Sequence, residues 1–152
     1  MTFASPEVAN VLNCMKAPYN VSSLASGLAI RTLSSEGLVV MRQNVNDLLQ
    51  QRALLVESLQ QRQRARKLGE QGIGPIIGGF DANFILVQIL NGDGEPCSAT
   101  AEALYKLLAE KKGVVVRFRG SERNCTGALR ITVGTSEEMQ TLLLRLQEWQ
   151  SQ

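Results

Sequence analysis

Two alternating segments in the last third of the chain constrain its fold most strongly. The stretch 113–134 reads GVVVRFRGSERNCTGALRITVG, with apolar runs at 114–118 and 129–133 on either side of a polar loop. Successive residues of a strand face opposite sides, so Arg130 points away from the face that its apolar neighbours share. Arg117 is likewise opposite Val114, Val116 and Phe118 of the first run. The pattern predicts two neighbouring strands that display arginines on a face turned away from the core.

The two strand arginines, Arg117 and Arg130, have two interpretations. Arginine is always charged, and its planar fork of donors matches a carboxylate or a phosphate, so the two side chains are a candidate anion-binding pair. Arginines on an open sheet face can also simply be solvated. The pattern alone leaves both interpretations open.

Composition excludes several classes of function. The 152 residues carry a net charge of +2, which is too small to indicate a nucleic-acid partner, and they contain no histidine. Cys14, Cys97 and Cys125 are odd in number and widely separated, which predicts no metal site and a reduced, cytoplasmic protein. Without histidine there is no Ser–His or Cys–His nucleophile. No apolar run reaches the length of a membrane span, and the start lacks a signal-peptide pattern.

The remaining periodic segments complete an α/β pattern. Helices are predicted from Ser5-Pro6 to about residue 16, from Ser22 or Ser23 to about 33, and over roughly 38–61. The last of these has an apolar stripe formed by Leu38, Met41, Val45, Leu48, Leu55 and Leu59. Ser98 is predicted to cap a helix that ends before Gly113, and a capping box opens the last helix at residue 135. Residues 83–89 are apolar on both faces and predict a central strand. From there the order is strand, helix, strand, strand, helix, which predicts a two-layer sandwich behind a long helical arm.

Two further segments have compositions that also occur in phosphate-binding sites. Residues 60–66 (QQRQRAR) are basic, but they more simply form the solvated end of the long helix, and no aromatic residues are interleaved for stacking on nucleic acid. Residues 69–79 (GEQGIGPIIGG) are rich in glycine but do not follow a strand and lack a complete phosphate-loop motif. We therefore expect a loop there, and no nucleic-acid binding.

The predicted second helix, 22–33, is apolar on several sides. A helix of this kind normally has neighbours on more than one side, and the chain offers too little other core to cover it. The sequence therefore predicts a partner surface on this helix.

Four motifs give the chain a specific resemblance: KAPYNVSS at 16–23, DANF at 81–84, GVVVRFRG at 113–120 and LRITVGT at 129–135. In this order they resemble the C-terminal part of histidinol-phosphate aminotransferase, a pyridoxal-phosphate enzyme of the aspartate-aminotransferase fold, and the fungal enzymes most of all. The resemblance extends from about Ala4 to Trp149.

The resemblance implies roles for particular residues. Arg130 matches the arginine that binds the α-carboxylate of glutamate or 2-oxoglutarate and that meets the phosphate of histidinol phosphate. Arg117 matches a second arginine at the substrate's anionic group, and Asn83 is a structural neighbour of the cleft. Residues 18–20 match the hinge, so residues 1–33 are expected to be the end of the large domain with the hinge and connecting helix. Residues 34–152 are expected to be the small domain.

The chain departs from that family in its lysines, which are at 16, 67, 106, 111 and 112. None lies in the motif of the lysine that forms a Schiff base with the cofactor, and that motif is expected to precede residue 1. No catalytic residue and no covalently held cofactor are therefore expected here, and the chain alone is expected to be inactive. The alternatives are a stand-alone anion-binding module and a domain that pairs with itself or with a complete subunit through the apolar helix.

Overall fold

The computed structural model describes residues 3–17 and 21–151. The chain divides into two compact units between Gln43 and Asn44, within a long helix, and each unit is described by itself. Residues 18–20, where the resemblance places the hinge, lie outside the described residues.

The first unit is helical. It contains α1 (Pro6–Met15), α2 (Ser23–Thr32) and the beginning of α3 (Ser35–Ala65). The predicted starts are confirmed, since Pro6 lies in the first turn of α1 and the Ser22 side chain accepts a hydrogen bond from the Ala25 N–H at 3.1 Å. Neither α1 nor α2 contains a buried residue.

No single helix in the part of the chain that the structure describes is both long and apolar enough to cross a bilayer. The helices α2 and α3 meet that test of length and composition only as a pair, and the chain bends by 68° between them.

The second unit is built on a four-stranded antiparallel sheet. Its strands are β1 (Gly72–Ile77), β2 (Phe84–Leu90), β3 (Arg117–Phe118) and β4 (Ala128–Thr132), in the order β1-β2-β4-β3. The strand predicted at 83–89 is β2, and its central position is confirmed. With α4 (Ser98–Lys111) and α5 (Ser136–Gln150), these elements give the predicted α/β fold.

One face of the sheet forms the core with the three helices. The alternation of β2 and β4 turns every second residue to this face, where α3, α4 and α5 supply leucines and an alanine. Each fully buried aliphatic side chain of this kind stabilises the fold by about 1.5–3 kcal/mol. The fully buried members are Leu55, Leu59, Ile73, Ile85, Val87, Ile89, Ala101, Leu104, Leu108, Leu129, Leu142 and Leu146.

The long helix departs from its predicted bounds and packing. It extends over Ser35–Ala65 rather than 38–61, and its predicted apolar stripe is fully buried only at Leu55 and Leu59. Met41 and Val45, from the same stripe, are 49% and 45% exposed. The stripe therefore packs within the second unit only along its C-terminal part.

The prediction of a loop at 69–79 is wrong, because residues 72–77 form the edge strand β1 against β2. Its pairing shifts between Ile73 and Ile76, and this bulge accommodates Pro75, which cannot donate to a ladder. A Cβ on Gly74 would lie 2.7 Å from the Leu90 side chain, so glycine permits the close approach of the two strands. The residues that indicated a loop are those that an irregular edge strand needs.

The basic end of α3 is not simply solvated, which corrects a second prediction. Arg62 donates hydrogen bonds to the Leu143 carbonyl at 3.0 Å and to the Gln150 side chain at 3.1 Å. Arg66 donates to the carbonyls of Glu70, Asn91 and Gly92 at 2.9, 3.1 and 3.1 Å. These two arginines fasten the end of α3 to α5 and to the loop after β2. Arg64 and Lys67 are exposed.

The ends of the last two helices have the capping residues that the sequence predicted, with one exception. Thr135 and Glu138 form the predicted capping box, and Gly113 follows α4 with φ +68°. Ser98 is not the N-cap of α4, because Cys97 occupies that position. The Ser98 hydroxyl instead donates to the Gly120 carbonyl at 2.9 Å and accepts from the Gly127 N–H at 3.1 Å, so it fastens the β3–β4 loop.

Candidate functional site

The register of the β3–β4 hairpin brings the two predicted site arginines together. Arg117 pairs directly with Arg130, and Phe118 pairs with Leu129. Residues directly opposite in an antiparallel pair project from the same face, with Cβ atoms about 4.5–5.5 Å apart. The structure therefore places the two side chains next to each other, on the face of the sheet opposite the core.

Arg130 is held by the central part of the sheet. Its neighbours Leu129 and Ile131 are buried in the core, so its own side chain is on the other face, where it is half-buried. The guanidinium carbon lies 5.1 Å from the centroid of the Phe84 ring, which is a cation–π contact. This contact restrains the position of the guanidinium group beside the ring.

One donor of Arg130 has no partner. Its Nε atom is buried without a hydrogen-bond acceptor among the described residues. A buried donor without a partner costs about 1–3 kcal/mol, and such atoms occur at sites that bind a ligand. This unsatisfied donor agrees with a binding role for Arg130 but does not single it out, since Arg145 Nε in α5 has the same defect.

The two arginines line an open depression of about 490 Å³, together with Tyr105, Phe118 and Arg119. Arg119 is a residue that the resemblance left without a role. Its backbone N–H donates to the Ala128 carbonyl at 2.9 Å, which extends the β3–β4 pairing by one residue. The sequence pattern could have placed Arg119 beside Arg117, because residues two apart in a strand share a face.

A second depression of about 490 Å³ lies between residues 113–116 and the start of α5. It contains Glu137 and Glu138, and the Glu138 carboxylate already accepts the Thr135 N–H at 2.7 Å. These negative charges do not suit an anionic ligand. Asn83 is exposed and does not line this depression, and its carbonyl accepts the Val133 N–H at 2.8 Å.

The lysines of this chain do not fit the covalent attachment of an aldehyde cofactor. All five lie in the described residues, and four are exposed. Lys106 pairs with Glu102 at 2.8 Å, which raises the pKa of its ammonium group, whereas attachment needs a neutral amine of lowered pKa. Lys112 is half-buried and pairs with Glu148 at 2.8 Å. No step of a reaction can be assigned to these residues.

Comparison with known proteins identifies the class. The sequence profile of the family described as aminotransferase class I and II matches residues 1–146. The chain therefore belongs to the class I and II aminotransferases, a family that depends on pyridoxal phosphate, and the family predicted from the motifs is confirmed.

Among the relatives are fungal proteins named histidinol-phosphate aminotransferase. The chain is 43% identical over 143 residues to that of Candida maltosa, which covers 94% of this chain and 34% of that protein. It is 43% identical over 151 residues to that of Schizosaccharomyces pombe, which covers 95% of this chain and 37% of that protein. It is 41% identical over 148 residues to that of Saccharomyces cerevisiae, which covers 97% of this chain and 36% of that protein. The chain thus spans little more than a third of the length of these relatives.

Proposed function

We propose that this chain acts as the C-terminal part of a histidinol-phosphate aminotransferase. Such an enzyme exchanges the amino group between histidinol phosphate and 2-oxoglutarate, which gives imidazole acetol phosphate and glutamate. The direct opposition of Arg117 and Arg130 on the open face is the observation that carries the proposal. The names of the fungal relatives support the choice of substrate.

In this proposal the two arginines bind the anionic end of each substrate. Arg130 contacts the phosphate of histidinol phosphate or the α-carboxylate of glutamate and 2-oxoglutarate, and Arg117 contacts the same group from the edge strand. The stacking on Phe84 supports this role, since an oriented fork loses less freedom when it binds. On an open face each contact is worth about a kcal/mol or less, so this chain alone binds such anions with a Kd of roughly millimolar.

The proposal divides the chain at residue 33. Residues 1–33 are the end of the large domain with the hinge and connecting helix, and residues 34–152 are the small domain. Pyridoxal phosphate, when bound in the complete enzyme, supplies the electron sink for transamination. The lysines described above do not hold it, so the chain alone is inactive. Three free cysteines support a reducing, cytoplasmic setting.

A pairing function is the second candidate, and it rests on exposed apolar side chains in the first unit. These residues recur along α1, α2 and the beginning of α3, and such a surface is typical of an interface. We propose that it pairs with a second copy or with a complete subunit. Those at least half exposed are Val8, Val11, Met15, Leu24, Leu28, Ile30, Leu33, Val39 and Val40.

Calorimetry tests the anion site. Histidinol phosphate is titrated into the chain and into Arg130→Ala, at concentrations that reach several times the expected Kd. The chain is expected to give a saturable heat that the variant lacks. Equal heats for both proteins would discard the assigned role of Arg130.

Absorbance tests the inactivity of the chain alone. Pyridoxal phosphate is added, and the visible band of a lysine-bound cofactor is sought before and after borohydride reduction. A reduced adduct at one specific lysine, together with turnover of histidinol phosphate, would contradict the proposal. Sedimentation at high concentration tests the pairing surface, and a monodisperse monomer would exclude a second copy as the partner.

A further inference from the structure

Arg119 is a third guanidinium group at the depression of Arg117 and Arg130. The hydrogen bond from its N–H to the Ala128 carbonyl continues the strand pairing. Because residues 117 and 119 alternate with Phe118, the Arg119 side chain starts from the same face as that of Arg117. The depression thus has three cationic side chains along one short edge.

Arg119 already has an anionic partner within its own loop. Its Nη1 atom lies 2.5 Å from Glu122 Oε1, and the two side chains are 34% and 52% exposed. The Glu122 N–H donates to the Arg119 carbonyl at 3.0 Å, so a turn holds the carboxylate beside the guanidinium group. An ion pair this exposed is weak and exchanges readily with other anions.

We propose that Arg119 is a further anion-binding residue of this site and that Glu122 competes with the ligand for it. The inference rests on the proposed function, since it concerns the same substrate-anion site. Arg117 and Arg130 provide two positive charges, which serve the two oxygens of a carboxylate. A phosphate monoester carries about −1.5 to −2 charges near neutral pH and three acceptor oxygens, so it can also engage a third guanidinium group. Arg119 therefore favours phosphate esters over carboxylates.

A double-mutant cycle on the complete 152-residue chain tests this role. Inorganic phosphate and 2-oxoglutarate are each titrated at constant low ionic strength into the chain, Arg119→Gln, Glu122→Gln and the double variant. Amide and arginine Nε–H shifts in 1H–15N spectra report binding, and the spectra also show that each variant is folded. Glu57→Gln removes an exposed carboxylate from α3 as a charge-matched control.

The expected changes concern phosphate. Glu122→Gln increases phosphate affinity about twofold to fivefold, the range of one exposed ion pair, and Arg119→Gln decreases it by a similar factor. In the Arg119→Gln background the Glu122 substitution has no further effect. The affinity for 2-oxoglutarate changes less, and Glu57→Gln changes neither.

Two results would overturn the inference alone. One is phosphate binding that shifts the Arg130 Nε–H signal but has the same affinity in Arg119→Gln as in the wild-type chain. The other is an equal gain from Glu122→Gln with and without Arg119, which would show only a general effect of charge. If phosphate moves no signal of Arg117, Arg119 or Arg130, both the inference and the proposed function are wrong.

Discussion

Replacing Arg117 with glutamine is expected to stabilise the chain when no anion is bound. Arg117 and Arg130 are direct cross-strand partners, and like charges in that arrangement repel. Glutamine keeps most of the length of the side chain and removes the charge. The free energy of unfolding should therefore rise, although the substitution removes a residue to which we assign a binding role.

The size of the gain follows from the register. Two unit charges about 6 Å apart repel by roughly 0.7 kcal/mol in water, and by more where solvent is partly excluded. Arg117 is exposed and Arg130 is half-buried, so the effective value lies near the aqueous end. Cross-strand pairs contribute about 0.2–1 kcal/mol, and we expect a gain of about 0.5–1 kcal/mol at low salt.

Urea denaturation in low-salt buffer measures the gain. Arg42→Gln is the control, because Arg42 is exposed within α3 and glutamine has a similar helix propensity. In 1 M KCl, where charges are screened beyond about 3 Å, the gain should disappear. In phosphate of matched ionic strength, the wild-type chain should recover stability relative to the variant, because a bound anion offsets the repulsion.

The reasoning is refuted if Arg117→Gln is no more stable than the wild-type chain at low salt, or if it gains no more than Arg42→Gln. A gain that persists unchanged in 1 M KCl would show that its origin is not electrostatic. A gain that salt removes but phosphate leaves unchanged would keep the repulsion and reject the anion site.

Three further predictions concern the fold that positions the site. Leu104→Ala should lose about 2–5 kcal/mol in urea denaturation, because this leucine is 1% exposed, whereas Leu144→Ala, at 52% exposed, should lose far less. The hydrogen bond from Lys112 lowers the pKa of the Glu148 carboxyl from its ordinary value. Glu148→Gln should therefore be less stable than wild type at pH 7, and the difference should close as acid protonates the folded carboxyl. Arg66→Met loses hydrogen bonds to two carbonyls of the β2–α4 loop, and hydrogen exchange there should become faster.

Each of the three has a contradicting result. Equal losses for the two leucine variants would place the core elsewhere. A stability difference for Glu148→Gln that is as large at pH 3 as at pH 7 would exclude the carboxylate as its cause. Unchanged exchange in the β2–α4 loop would show that the arginine hydrogen bonds do not restrain it.

The sequence predicted the elements of this fold better than their pairing. Strong alternation and clear capping residues identified β2, β4 and α5, because these signals are local. The edge strand β1 was missed because its glycines and Pro75 are also typical of loops. What makes it a strand is its pairing with β2, which lies apart from it in the sequence, and Gly74 leaves room there for the Leu90 side chain.

The candidate site depends on a register that the sequence leaves open. Alternation places Arg117 and Arg130 off the core face, but it does not place them opposite each other. A shift of one residue would set Arg117 opposite Ile131 or Leu129 and turn the two arginines to different faces. The β3–β4 loop sets the register through local turns, including Asn124 with φ +61°, and the same loop brings Glu122 to Arg119. No short sequence motif predicts the geometry of this loop.

The features that define this site are unfavourable to the fold that carries them. Among the residues that the structure describes, the buried Nε of Arg130 has no acceptor, and the cross-strand partner of Arg130 has the same charge. The core face of the same strand has neither defect, since Leu129 and Ile131 pack among apolar residues. An anion bound as proposed would offset the repulsion between the two guanidinium groups, which packing alone does not relieve. The proposed role therefore predicts that anion binding stabilises the β3–β4 hairpin.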